Sequence, residues 1–196
     1  KEDAQAMYDA VITNHLGPGP FVEEFEKKMA DYLGVKNSIA VNSGTSSMLL
    51  SLDALGIGNG DEVITTPFTF AATSNVIIQR NAHPIFVDIE PETFNLDPKN
   101  IEDAITEKTK AIMPIDYGGQ SAEIIEINEI AEKHGLSVIE DAAPALGGIH
   151  KNKKVGSVST MTGFSFGPDK NLNTGEGGLI VTNDNELAEK CKILRK

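Results

Sequence analysis

The chain has 196 residues, 40% of them hydrophobic, enough for one large core, so a single domain is the default. A formal net charge of −12 and a pI near 4.7 argue against a nucleic-acid partner, because phosphate backbones are bound through clustered Lys and Arg. No apolar run approaches the roughly 18 residues of a membrane span, and a lone cysteine, Cys191, excludes an intrachain disulfide or thiolate metal cluster and fits the reducing cytoplasm.

Near the start, Phe21, Phe25, Met29 and Tyr32 with Leu33 recur at helical spacing, and Gly34 follows as a stop signal. A first strand is expected over 38–41, then a helix over 45–55 that stops at Gly56. Gly56, Gly58 and Gly60 lie between that helix and a strand, the reverse of a dinucleotide-binding fingerprint, and are expected to form a turn. Further apolar runs predict strands over 62–66, 84–89, 111–115, 136–139, 161–166 and 179–182, most of them apolar enough to be buried on both faces. A helix over 124–134, ending at Gly135, precedes the fifth strand. A last helical pattern, 185–196, carries no stop signal, as expected of a chain that continues into further elements. No secretory signal is visible, although the sequence begins at Lys1. His15, His83, His134 and His150 show no helical ligand spacing and are expected to be surface or loop residues. The alternation of strands and helices predicts an α/β fold with right-handed crossovers and a mainly parallel sheet covered on both faces.

Ligands of such sheets sit beyond the carboxyl ends of the strands, and four segments with useful chemistry fall there. Asn42, Ser43, Gly44, Thr45, Ser46 and Ser47 form a small polar turn opening a helix. Free backbone N–H groups and the positive end of the helix dipole suit such a turn to phosphate, although the same residues also make an ordinary helix cap. Pro67, Phe68, Thr69 and Phe70 bring an aromatic ring to the same edge. Ile139, Glu140 and Asp141 set two carboxylates directly after a buried run, a costly position without a cationic partner, the alternative being a cap for a helix over 142–146. The segment 164–178 places Lys170 between a strand and a glycine-rich turn, where its amine can enter a cleft. Burial and nearby positive charge would lower its pKa and make it a nucleophile.

At these residues the sequence resembles the DegT/StrS family of sugar aminotransferases, within the fold type I pyridoxal-phosphate superfamily. The similarity runs along nearly the whole chain, through Ser43 to Thr45, Gly60 to Ile64, Thr69 to Thr73, Phe86 to Ile89, Glu140 to Ala143, and Ser165 to Gly178. It implies a three-layer sandwich with a seven-stranded, mostly parallel sheet whose last strand is antiparallel. The chain is then the pyridoxal-phosphate-binding large domain, spanning 1–196, without the small C-terminal domain of the family.

The resemblance further implies that Lys170 carries the cofactor as a Schiff base and shuttles the proton during transamination, while Asp141 pairs with the pyridine nitrogen. Phe70 stacks on the ring; Gly44, Thr45 and Ser46, with the Ser165 hydroxyl, hold the phosphate. The implied substrates are a nucleotide-linked keto sugar and an amino donor, glutamate, and the implied assembly is a homodimer whose partner subunit reaches the phosphate. Three positions depart from the family pattern. Pro144 stands where Gln or His usually reaches the cofactor's phenolic oxygen, and Asp116 and Gly167 each replace a frequent His. Two rivals remain at this level: a deoxysugar dehydrase, whose members carry His in place of the lysine, and a non-catalytic fragment or regulatory binding module.

Overall fold

In a computed structural model of the protein, residues 1–13 and 17–196 are described; His15 lies outside the described residues. All the expected strands form. In chain order they are β1 (Asn37–Val41), β2 (Glu62–Thr65), β3 (His83–Phe86), β4 (Thr109–Ile112), β5 (Ser137–Asp141), a separate hairpin of β6 (Ile149–His150) and β7 (Lys153–Lys154), then β8 (Met161–Ser165) and β9 (Gly178–Thr182). The main sheet has seven strands in the order β1-β9-β8-β5-β4-β2-β3. Every pairing in it is parallel except the two made by β9, which runs antiparallel to β1 and β8. β9, inside the sheet, is buried along its whole length, whereas β3 at the edge is exposed at both ends.

Side chains alternate across a strand, and this sorts the core into two layers. Val63, Ala111, Ile139, Met161 and Ile180 face α3 (Gly44–Leu55), α4 (Ala71–Gln79) and α6 (Asn185–Leu194). Ile64, Ile112, Val138, Phe164 and Leu179 face the opposite way, toward α2 (Pro20–Leu33) and α5 (Ile124–His134). Each of the larger of these side chains, Val, Ile, Leu, Met or Phe, contributes about 1.5–3 kcal/mol when removed from water. A further helix, α1 (Glu2–Ile12), buries none of its residues.

Three elements differ from the sequence-based expectation. The stretch 142–146 is not a helix: Ala145 N donates to Ala142 O and Gly148 N to Ala145 O, both at 2.9 Å, as consecutive turns. α4 forms although Thr73, Val76, Ile77 and Ile78 are stiff, β-branched residues with modest helix propensity; burial of Val76 and Ile77 against the sheet overrides that preference. The β6/β7 hairpin turns on Lys151 and Asn152, both at positive φ (45° and 65°), a turn in which Asn is common and Lys is not.

α3 lies unusually close to the sheet. A Cβ on Gly178 would sit 2.2 Å from the Ser43 carbonyl oxygen, and one on Gly163 2.3 Å from Ser47 Oγ. The Gly178 obstacle is backbone, so it cannot rotate away. Gly178→Ala is expected to cost about 1–3 kcal/mol through overpacking, seen as a fall of several degrees in Tm, with the damage centred on the helix start at Ser43. Among the described residues, no helix is long and apolar enough to cross a membrane.

Candidate active site

Because all strands of the sheet but β9 run one way, β1, β2, β4, β5 and β8 release their chains at a common edge. β9 returns against β8, so the connection between them is a hairpin that stays at that edge. Its base is closed by Phe166 N donating to Gly177 O at 2.8 Å and Thr174 N to Phe166 O at 3.0 Å, and Lys170 sits on a turn closed by its own N–H to Gly167 O at 3.0 Å. Asn171 Nδ2 ties the loop to Leu146 O at 3.0 Å.

The segments converge on a cavity of about 500 Å³ lined by Gly44, Thr45, Phe70, Asp141, Ser165 and Lys170, within the roughly 300–1,000 Å³ of small-molecule sites. Ser46 is the sequence-selected residue that lies elsewhere. It borders a neighbouring cavity of about 640 Å³, with Val22, Asn42 and Leu50. That cavity is larger but includes neither Asp141 nor Lys170, so the convergence of chemistry, not volume, selects the smaller one.

The helix start explains the division. Ser43, in extended conformation, caps α3 by accepting from Ser46 N at 3.1 Å. The first N–H groups of a helix have no intrahelical acceptor; the Ser43 side chain serves that of Ser46, while Gly44 and Thr45 line the cavity. Gly44 is required by a close approach, since a Cβ there would meet Ser165 Cβ at 2.8 Å. The start of α3 and the end of β8 are thereby held together as one anion-suited corner.

Asp141 is 2% exposed. Its Oδ2 accepts from the Thr73 hydroxyl at 2.7 Å and its Oδ1 from Ala143 N at 3.3 Å. Burial pushes its carboxyl above the ordinary value, while the Thr73 and Ala143 donors and the positive charge of Lys170 oppose the rise. Lys170 itself is paired with Asp169, Nζ to Oδ2 at 2.9 Å, and the Asp169 side chain is 74% exposed. The expected positive neighbour is therefore an anion. Pairs so open to water are weak, which leaves the amine available to a reacting partner. Phe70, the residue preceding α4, is 75% exposed and turned to the same cavity.

Over residues 1–196 the chain matches the family model described as the DegT/DnrJ/EryC1/StrS aminotransferase family. The chain belongs to that family. Its members are pyridoxal-phosphate-dependent sugar aminotransferases of fold type I. The chain is 46% identical over 194 residues to the spore coat polysaccharide biosynthesis protein SpsC of Bacillus subtilis, covering 99% of the chain and 50% of SpsC. It is 47% identical over 179 residues to the UDP-2-acetamido-2-deoxy-3-oxo-D-glucuronate aminotransferase of Pseudomonas aeruginosa, covering 91% of the chain and 50% of that protein. Among solved structures, NtdA of Bacillus subtilis with bound cofactor PMP superimposes with a TM-score of 0.91 at 39% identity, over 96% of this chain and 42% of NtdA. The chain thus spans about half the length of the relatives it matches.

Within this DegT/DnrJ/EryC1/StrS chain, several contributors to the cavity carry no sequence signal of their own. Thr73 is an unremarkable helix residue until α4 packs beside β2 and β3 and brings its hydroxyl to Asp141 at the end of β5. Thr73→Val removes that donor at nearly constant shape, pushing the buried carboxyl further up, and is expected to cost about 1–3 kcal/mol of stability in denaturant unfolding. Tyr117 and Glu176 also line the cavity. Pro144 lines it without an N–H, and Tyr117 brings a hydroxyl to the same walls. Gly167 is a lining residue, whereas Asp116 is fully buried and faces Ala122 N, with Oδ1 accepting at 2.9 Å.

Proposed function

We propose that this chain is the cofactor-binding large domain of an aminotransferase that uses pyridoxal 5'-phosphate to pass an amino group, from glutamate as donor, to a nucleotide-linked keto sugar. The observation that carries the proposal is the convergence of Asp141 and Lys170, from different strand ends, on one cavity. The residues present suit the cofactor. A buried carboxylate with two donors is ready for a cationic ring nitrogen, two unused N–H groups and a hydroxyl suit a phosphate, and an exposed phenyl ring suits a flat aromatic surface.

When bound, the cofactor supplies an aldehyde carbon for attachment and a ring that withdraws electrons from the reacting carbon. Lys170 Nζ then has two tasks. It would hold that carbon, and as a free amine it would move a proton to and from the reacting carbon. Asp141, whose charged form Thr73 and Ala143 favour against burial, would hold the proton on the ring nitrogen. Phe70 covers one ring face; the N–H groups of Gly44 and Thr45 and the Ser165 hydroxyl hold the phosphate.

The keto-sugar assignment is supported by the Pseudomonas aeruginosa relative, whose name states a UDP-linked 3-oxo sugar as substrate. A homodimer completes the site in this proposal, with a small C-terminal domain supplied by chain outside these 196 residues. α1 leaves Met7, Tyr8, Val11 and Ile12 exposed, apolar surface of the kind that subunits cover. A cytoplasmic setting fits Cys191, a buried free thiol raised to about 11. The test is to add pyridoxal phosphate and look for a visible absorption band that borohydride fixes on Lys170, then to screen the longer protein for glutamate-dependent amination of keto-sugar nucleotides. Label on another lysine, or amination confined to carbonyl compounds other than sugars, overturns it.

A further inference from the structure

The strand alternation that turns Asp141 toward α4 turns its neighbour Glu140 to the opposite face, where it is 0% exposed. Asp116, also 0% exposed, follows β4 on that side. One oxygen of each carboxyl is satisfied. Asp116 Oδ1 accepts from Ala122 N at 2.9 Å, and Glu140 Oε2 from the hydroxyls of Thr162 and Ser159 at 2.9 and 3.1 Å. The other oxygen of each, Asp116 Oδ2 and Glu140 Oε1, is buried without a donor, and the parallel bridge of Ile115 to Asp141 sets the two carboxyl groups on neighbouring chain segments, where each acts on the other. Two carboxylates cannot relieve each other, because both only accept. One proton between them satisfies both orphaned oxygens at once. A metal ion is not the missing partner, since among the described residues no group of three or more His, Cys, Asp or Glu is arranged to hold one.

The donors decide where the proton resides. Thr162, Ser159 and the Gly156 N–H all favour the charged form of Glu140, against one donor, Ala122 N, for Asp116. The charged groups acting on Asp116 are Glu140 and Asp141, both anionic, and with burial they push its carboxyl well above 3.8. The pair also sits at a structural junction, where Asp116 N donates to Asp141 O at 3.0 Å and Asp141 N to Pro114 O at 2.8 Å.

We propose that Asp116 is a neutral acid whose O–H is donated to Glu140, so that the pair carries one negative charge, joins the ends of β4 and β5, and leaves Asp141 as the anion facing the cavity. Asp116 is then a positioning residue for Asp141. That consequence rests on the function proposed above, whereas the shared proton stands without it.

Asp116→Asn tests it by placing a permanent N–H where the proton lies. The folded chain keeps a proton that the unfolded chain releases above about pH 3.9, so wild-type stability falls as pH rises from there until Asp116 ionises in the folded state. The asparagine variant is spared that loss. Its Tm minus that of the wild type is expected to grow from pH 4 to pH 7, reaching on the order of 5 °C. Near pH 7, the infrared difference spectrum between wild type and D116N should show a protonated-carboxyl C=O band lost in the variant. Glu140→Gln is expected to lower Tm at pH 4, because its single amide oxygen cannot accept from the Asp116 O–H and from the Thr162 and Ser159 hydroxyls together. A Tm difference that does not change with pH, an unaltered carboxyl band, or a Glu140→Gln variant as stable as wild type at pH 4 overturns the proposal. All three measurements use the full chain without cofactor, so a failed cofactor assignment leaves them interpretable.

Discussion

Lys170→Ala is expected to abolish borohydride-trapped cofactor and to lower amination by at least about 10³-fold, the range lost when a positioned proton-transfer group is removed. The loss has two parts. Without Nζ nothing in the cavity can attach the aldehyde, and nothing carries the proton from one carbon to the other. Lys170→Arg separates these tasks from charge, because it keeps a cation beside Asp169 but offers no neutral amine. Arginine should therefore fail as alanine does. Turnover measured with saturating cofactor, and mass spectrometry of the reduced protein, check both variants. Activity within tenfold of wild type in Lys170→Ala would remove the residue from the reaction.

Asp141→Asn comes second in size. Asn keeps the shape and can still accept from Thr73, so folding is little disturbed, but the negative charge is gone. An ion whose buried partner is removed loses about 3–5 kcal/mol, or two to four orders of magnitude at about 1.36 kcal/mol per decade. The loss should appear in turnover as well as cofactor affinity, since a ring nitrogen that sheds its proton stops drawing electrons. A weakly reduced affinity with unchanged turnover would assign Asp141 to structure only.

Much of this site is readable before folding, and the parts that are not share a cause. Asp141 is visible as an acid set directly after an apolar run, and Lys170 as an amine between a strand and a glycine-rich turn. The roles proposed for them rest on the family resemblance, not on spacing. Thr73 gives no such signal, because its importance exists only once folding brings α4 to the end of β5. Ser46 sits in the right turn, yet Ser43 consumes its N–H, a detail of capping geometry that a string of small polar residues does not express. Asp116 and Glu140 look independent, being 24 residues apart by their numbers, and only strand parity puts them on one face. α4 escaped for the opposite reason: its local preference points away from the helix it becomes.

The reversal of β9 makes the two halves of the site unequal in how they come together. The amine rides on a hairpin whose base is joined by adjacent strands, a short loop with a small closure entropy. The acid depends on a hydroxyl 68 positions away in the chain, a contact that exists only when the middle of the sheet and its covering helix are both assembled. Loosening the β2–β4 side would strip Asp141 of Thr73 while the lysine hairpin stood intact, so catalytic competence follows the cooperativity of the entire domain and not the order of any one segment.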